Sequence, residues 1–431
     1  MTPDDRATIF ALSSGPPPAA IAILRVSGPM ADAVALALAG APLPPLRHAA
    51  LRTLRGADGA TIDRGLVLRF PAGGSVTGEA MVEFHVHGGR AVVARMLAEL
   101  AARPGLRLAE PGEFSRRALL GGRMSLVEAE ALGDLLRAET ETERRAALSV
   151  HDGALGERLD GWRDTLIDLS ARAERAIDHA DDDETPDAAD AMLTADIAAL
   201  AGEISAVAAR PASDSLRDGL LVALAGPPNA GKSSLLNALV GRDAALVSSE
   251  AGTTRDLIEV QIVLGDHRVR LVDTAGLRDG AGLVEQMGID RARRSVDAAA
   301  LLVWLGDDPA PARDGPVLAV RARCDVDGRT EPDGRLGVSS RTGEGLDALI
   351  AWIAREADHI VGGEDGVTLN VRQHEAMLAV ERELWDAATQ QDLVLLAEHL
   401  RLARRSLIGL TRPTDIEAVM DQIFTNFCLG K

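Results

Sequence analysis

The spacing of apolar and polar positions divides the chain into stretches of distinct kinds. Over residues 1–120, short apolar runs such as AIAILRVSG, GLVLRFP and MVEFHVHGG stand between Gly- and Pro-containing turns. Short runs of that type predict the strands of a small α+β domain. Residues 121–215 are rich in Ala, Leu and Glu, and from Leu126 the apolar positions recur at helical spacing, as at Leu132, Leu135 and Leu136. The acidic stretch DHADDDETPD, Asp178 to Asp187, interrupts that pattern and predicts a solvated loop. Residues 216–357 alternate strand-like and helix-like segments, as a parallel α/β sheet does, and residues 358–431 return to helical spacing. An α/β unit between two helical stretches predicts an insertion whose flanks pack together as one helical domain. The expected fold is therefore multidomain: an N-terminal α+β domain, an all-α domain, and an α/β domain inserted into it.

Composition refines this picture only slightly. With 431 residues the chain exceeds one ordinary domain, and 46% hydrophobic content suffices for real cores. Aromatics number only six Phe and four Trp, so those cores rest on Ala, Leu and Val, a bias that favours helices. The two cysteines, Cys324 and Cys428, form no disulfide framework and fit a reducing compartment. MTPDDRATIF has neither the basic region nor the apolar run of a signal peptide, and DAAALLVWLG falls short of a membrane span. A soluble, cytoplasmic protein is expected. The net charge of −19 argues against broad adhesion to nucleic acid through a basic surface, while leaving room for a local basic patch or a basic partner.

The most informative stretch is LLVALAGPPNAGKSSLLNAL. An apolar strand, Leu220 to Ala225, leads into Gly226-Pro-Pro-Asn-Ala-Gly231-Lys232-Ser233 and then into a helical pattern. This is G-x-x-x-x-G-K-S in the strand–loop–helix context it requires. Its backbone N–H groups cradle phosphates, Lys232 reaches the β- and γ-phosphates, and Ser233 ligates Mg²⁺. The helix N-terminus adds favourable dipole charge. Asn229, Ala230, Gly231, Lys232, Ser233 and Ser234 are thus expected at a nucleotide.

Two further pieces follow in the order a GTPase needs. GTTRD, Gly252 to Asp256, offers Thr253 and Thr254, the latter completing the Mg²⁺ shell and sensing the γ-phosphate. VRLVDTAGLR sets Asp273 at a strand end, followed by Thr274, Ala275 and Gly276, whose N–H can meet the γ-phosphate. The base-recognition element departs from the usual Asn-Lys-x-Asp, since VLAVRARCDVDG gives Ala322-Arg323-Cys324-Asp325. Asp325 retains the carboxylate that accepts from guanine N1–H and its 2-amino group. Adenine offers neither donor, so such a pairing discriminates by up to roughly 10⁴-fold. The bracing Asn is missing and Arg323 takes the place of Lys over the base, which predicts GTP preference with weakened affinity. GVSSRTGEG supplies the closing loop with Ser339, Ser340 and Arg341, Ser340 standing where Ala is commoner.

GPPNAGKSSLLNAL, GTTRD and DTAGLR together resemble the tRNA-modification GTPase MnmE (TrmE) family. TGEAMVEFHVHGG, EPGEFSRRALLGGRMSLVEAEALGDL and the terminal FCLGK match the same family, so the resemblance spans essentially the whole chain. It implies a Ras-like G domain inserted in a helical domain and a folate-binding-like N-terminal domain. It also implies K⁺ held between dimerised G domains by Asn229, Ser248, Glu250 and Thr253, where an arginine finger would otherwise act. A finger is worth roughly 10³–10⁵ in rate, or about 4–7 kcal/mol of barrier. The family's water-orienting carboxylate falls on Glu285, twelve residues past Asp273. Judged without the family, Glu285 reads as an ordinary solvated residue.

For the N-terminal domain the resemblance implies a formyl-tetrahydrofolate site at Arg25, Glu83, Arg123 and the terminal Lys431. Basic groups suit the glutamate tail and a carboxylate suits the pterin donors. Arg123 replaces the usual Lys, SSGPPPAA stands for the family's GRGG, and Thr77-Gly78-Glu79-Ala80 for TGED. His85 and His87 alternate on a strand and would share one side, but no third metal ligand lies near them in sequence. Cys428 stands fourth from the end, where Cys-Leu-Gly-Lys makes a poor prenylation box. A buried cysteine at a helix end is the plain alternative. The family ends in Cys-x-Gly-Lys, with the cysteine needed for tRNA modification, which implies a functional Cys428 of open chemistry.

The activity so implied is that of a homodimeric, K⁺-activated GTPase working with the flavoprotein MnmG, which carries FAD. Together they add an aminomethyl-type group, carboxymethylaminomethyl included, at C5 of the tRNA wobble uridine from a folate one-carbon unit such as that of 5-formyl-tetrahydrofolate. Two other classes stay open on the residues alone: a regulatory GTPase that only binds RNA or ribosomes, and a folate-binding scaffold without nucleotide control.

Overall fold

A computed structural model of the protein describes residues 7–179, 187–210, 212–243, 258–273, 296–325, 334–361, 367–411, 420, 423–424 and 430. The chain forms two compact units, Met1–Gly133 with Gly409–Lys431, and Asp134–Ile408.

The first unit is built from β1 (Thr8–Leu12), β2 (Ile21–Ser27), α1 (Ala31–Ala39), β3 (Ala50–Arg55), β4 (Thr61–Phe70), β5 (Met81–His87), α2 (Arg90–Ala101), β6 (Leu106–Leu108), α3 (Glu113–Leu120) and the start of α4 (Leu126–Arg137). Its sheet has the order β3-β4-β5-β2-β1-β6, antiparallel except where β6 joins β1. Side chains alternate across a strand, so Leu24, Val26, Val82, Phe84 and Val86 share one face. They bury against Val34 and Leu38 of α1 and Val93, Met96 and Leu100 of α2. The opposite face receives Arg25, Glu83 and His85. The C-terminal Met420 and Phe424 bury against Ala129 of α4. Gly112, at φ 68°, lies so close that an added Cβ would sit 2.6 Å from Phe424 Cβ.

The second unit continues with α5 (Glu141–His151), α6 (Ala154–His179), α7 (Asp187–Ala208), α8 (Ser213–Asp218), β7 (Leu220–Ala225), α9 (Lys232–Asp243), β8 (Ile258–Leu264) and β9 (His267–Asp273). It closes with β10 (Leu301–Trp304), β11 (Val317–Ala322), β12 (Leu336–Val338), α10 (Leu346–Val361), α11 (Val371–Thr389) and α12 (Leu393–Thr411). The sheet order is β12-β11-β10-β7-β9-β8. Its core joins Val222 and Leu224 of β7, Leu235 and Leu239 of α9, and Leu349 and Ile353 of α10. The helices α7 and α11 lie side by side. Ser205 Oγ donates to Glu381 at 2.6 Å, His374 Nε2 bonds Ala208 O at 2.8 Å, and Arg210 donates to Val367 O at 2.9 Å.

Two expectations are sharpened. The sheet of this unit is not wholly parallel, because β8 runs antiparallel to β9. Leu264 pairs with His267, so only Gly265 and Asp266 turn the chain, and Gly265 takes φ 60° as a two-residue hairpin needs at its first central position. At the two ends of the acidic stretch, Asp178 and His179 belong to α6 and Asp187 to α7, while residues 180–186, where the loop is expected, lie outside the described residues. Strands β1, β3 and β6 also add to the runs named above; their half-buried or short sequences carry weak apolar signals.

The β8–β9 hairpin is clamped by the N-terminal turn of α5. Arg268, 9% exposed, donates to Glu139 at 2.9 Å and to Glu143 at 3.1 Å. The His267 ring contacts Thr142 Oγ1 at 3.3 Å and Asp358 of α10 at 3.0 Å.

Candidate nucleotide-binding site

The loop after β7 is shaped by three residues with positive φ. Gly226 (151°) packs so tightly that a Cβ would lie 2.8 Å from Leu305 O, and Asn229 (61°) and Gly231 (97°) complete the curl. Glycine adopts such angles freely and Asn is the side chain best able to follow it. Lys232, 5% exposed, opens α9 and points back into the loop, donating to Gly226 O and Pro227 O at 2.9 Å each. Ala230 packs partly buried on the sheet core, while Asn229, Ser233 and Ser234 are exposed.

Behind the loop, Ser233 Oγ donates to Asp273 Oδ2 at 2.5 Å. Asp273 is fully buried at the end of β9, and its backbone lies opposite Leu224 of β7. Two hard oxygen donors, one from the P-loop helix and one from the neighbouring strand, are the ligand chemistry that Mg²⁺ takes. The structure therefore joins Lys232, Ser233 and Asp273 into one cluster.

The base-recognition loop stands beside it. Arg323 follows β11 with φ 59°, and a Cβ on Gly231 would lie 3.6 Å from Ala322 Cβ and 4.0 Å from Arg323 Nε. Ala322 thus brings only a methyl to the P-loop, while the Arg323 guanidinium reaches over it. The Asp325 carboxylate accepts from Arg341 Nε at 2.8 Å and Nη2 at 2.6 Å. Hydrogen bonds from Ser339 first, and then from Arg341, hold its carboxyl below the usual range, so it stays an anionic acceptor. Ser339 is fully buried, and its Oγ accepts from the N–H groups of Arg341 (3.3 Å) and Thr342 (3.1 Å). Ser340 is exposed on the same loop. Burial, and after it the charges of Glu344 and Asp325, push the Cys324 thiol up, which disfavours the thiolate. Ser248, Glu250, Thr253, Thr254, Thr274, Ala275, Gly276, Glu285, Cys428 and Lys431 lie outside the described residues.

In the N-terminal unit, Arg25 and Glu83 meet as neighbours on β2 and β5, with Nη2 to Oε1 at 2.9 Å, and the guanidinium lies 5.6 Å from the Phe114 ring centre. Arg123 lies along Gly78, where an added Cβ would stand 3.3 Å from its Cγ. The penultimate residue, Gly430, packs on the end of β1, where a Cβ would lie 2.2 Å from Leu12 O. Leu12 is opposite Leu24, one residue from Arg25. The two histidines go to separate carboxylates, His85 to Glu83 at 3.2 Å and His87 to Asp63 at 2.8 Å, rather than converging.

A buried polar chain here has no sequence signature. Arg107 and Arg117 bind Glu113 at 2.6 and 3.0 Å, Arg117 also binds Glu79 at 3.0 Å, and Glu79 accepts from Ser27, whose Oγ contacts Thr77 at 2.7 Å. Burial works to raise the Glu113 carboxyl, but bonds from Arg107, the Glu110 N–H and Arg117 outweigh it and hold it low. Glu79 and Glu113 fall inside TGEA and PGEF, yet nothing in their spacing announces their shared partner.

Residues 8–123 match the family model described as the GTP-binding protein TrmE N-terminus, and residues 126–428 match that of the MnmE helical domain. The chain is 45% identical over 428 residues to a tRNA modification GTPase MnmE of Erythrobacter litoralis, covering 98% of this chain and 100% of the relative. It is 47% identical over 429 residues to that of Rhizorhabdus wittichii, covering 98% and 96%. The G domain of the T. maritima FeoB iron transporter aligns at 24% identity over 32% of this chain and 98% of that one, with a TM-score of 0.24. Full-length identity at this level, two family models in register and a formed P-loop agree: the chain belongs to the tRNA modification GTPase MnmE family.

Proposed function

We propose that this chain hydrolyses GTP and that it uses the cycle to drive modification of a tRNA wobble uridine. The observation that carries the reading is the Lys232–Ser233–Asp273 cluster, an ammonium turned into the P-loop beside two hard oxygens that are hydrogen-bonded to each other. Lys232, released from the loop carbonyls, binds the β- and γ-phosphates. Loop N–H groups bind the remaining oxygens, and Asp325 accepts the guanine edge. Mg²⁺ held by Ser233 with Thr254 would neutralise charge on the leaving phosphate. Asn229, with Ser248, Glu250 and Thr253, would hold K⁺ across two G domains, and Glu285 would orient the attacking water.

The finer chemistry belongs to the same proposal. The Arg25–Glu83 pair is a ready donor and acceptor for a folate, supported by Arg123 and by the tail that ends in Gly430 and Lys431. Cys428 acts at that site, and the flavoprotein MnmG joins a homodimer of this chain. GTP turnover then serves to open and close the G domains rather than to do the one-carbon chemistry.

The test is GTP hydrolysis by the purified protein in KCl and in NaCl at equal ionic strength, with Glu285→Ala alongside. Strong K⁺ stimulation that the variant loses is the expected result. Equal slow rates in both salts would overturn the K⁺-bridged mechanism.

A further inference from the structure

We propose that Glu383, Asp386 and His399 form a divalent-cation site of the zinc class on the α11–α12 hairpin, remote in sequence from every residue assigned above. Glu383 and Asp386 stand one turn apart on α11, so their side chains share a face. The short connection between Thr389 and Leu393 returns the chain so that His399 of α12 meets that face. One ligand atom from each residue lies within 4.8 Å of the other two, and His399 Nδ1 is 2.8 Å from Glu383 Oε2. An ion with bonds of about 2.1 Å spans ligands up to ~4.2 Å apart, so small rotations of three side chains complete the shell.

Charge points the same way. Among the described residues neither Glu383 nor Asp386 is paired with a Lys or Arg; the only ion-pair partner of Glu383 is His399 itself. Two carboxylates thus converge on an imidazole with no cation between them, whereas Glu398 nearby is neutralised by Arg401 at 2.6 Å. One neutral nitrogen with two carboxylates selects Zn²⁺, Co²⁺ or Mn²⁺ over Ca²⁺, which takes all-oxygen shells. Asp386 is exposed and the other two are half-buried, so waters complete the coordination and the ion exchanges freely. Bound there, it ties α12 to α11, the helix that packs on α7 through Glu381 and His374.

Full-length protein in excess MgCl₂ is titrated with ZnCl₂ by calorimetry, and its thermal unfolding is followed with and without Zn²⁺. The expected result is one Zn²⁺ site that His399→Ala weakens about tenfold or more, with a zinc-dependent rise in Tm that the variant loses. Glu383→Gln keeps a hydrogen bond to His399 but removes a charged ligand, and is expected to weaken binding similarly. Unchanged zinc affinity in either variant, or no zinc-dependent Tm shift in the natural protein, would overturn the site. Neither outcome bears on GTP hydrolysis, so this inference stands or falls apart from the proposed activity.

Discussion

The Asp325 carboxylate is asked to do two things at once. Its Oδ2 accepts both contacts from Arg341, and in the proposed binding mode guanine offers its N1–H and amino group to the same carboxylate. The Arg341 side chain is 76% exposed, so solvent screens the pair in spite of its geometry. Guanine therefore has to displace a weak competitor. Arg341→Ala should tighten GDP binding by up to about fivefold, while Asp325→Ala should cut the preference for GTP over ATP by roughly 10²–10⁴. Titrations of the two variants with both nucleotides measure this, and weaker GDP binding by Arg341→Ala would mean that Arg341 contacts the nucleotide instead. At this scale the sequence marks the candidate residues, because Lys232, Ser233, Asp273 and Asp325 sit in motifs with fixed spacing. Which of them pair with one another is set by tertiary approach. That is why Arg341 on Asp325, and Glu113 between two arginines, had no counterpart in the sequence pattern.

Among the elements, strands buried on both faces announce themselves: β7 and β10 read as unbroken apolar runs. The strand β9 does not, since HRVRLVD alternates charged and apolar residues, and its charged face turns out to have an occupant. Arg268 near its start binds Glu139 and Glu143, while Asp273 at its end bonds Ser233 of the P-loop helix. One strand of seven residues thus runs from the helical bundle to the P-loop helix. With Arg268 and Glu143 both at least nine-tenths buried, removing one partner strands the other charge, at a cost of about 3–5 kcal/mol. Arg268→Ala should lower the free energy of unfolding by that amount, read from denaturant curves. Adding Glu143→Gln should recover part of the loss, because the cycle then removes the orphaned carboxylate. Strictly additive losses would show that the pair is not coupled.

For the whole molecule, the insertion is legible in the sequence because the period of the apolar pattern changes twice, but how the insert is carried is not. Arg210 donates to Val367 O, and His374 bonds Ala208 O, so the two ends of the intervening chain leave the helices at neighbouring points. Ends so close can be joined by three or four residues, which span about 10–13 Å when extended. The pairing of α7 with α11 is made by contacts on both sides of the cut, including Ser205 with Glu381 and Trp385 with Ser205. The insert adds ties to α4 and α5 through Arg217, Arg268 and His267, but these brace the flank of the bundle rather than its core. A chain in which residues 211–366 are replaced by such a linker should therefore keep its helical circular dichroism and unfold cooperatively, with a Tm lowered only by the loss of those ties. It should bind no nucleotide, since every residue of the Lys232–Ser233–Asp273 cluster is gone. Loss of cooperative unfolding in that variant would mean that the helical parts depend on the sheet for their fold, and that nucleotide-driven movement of the insert must disturb the bundle itself.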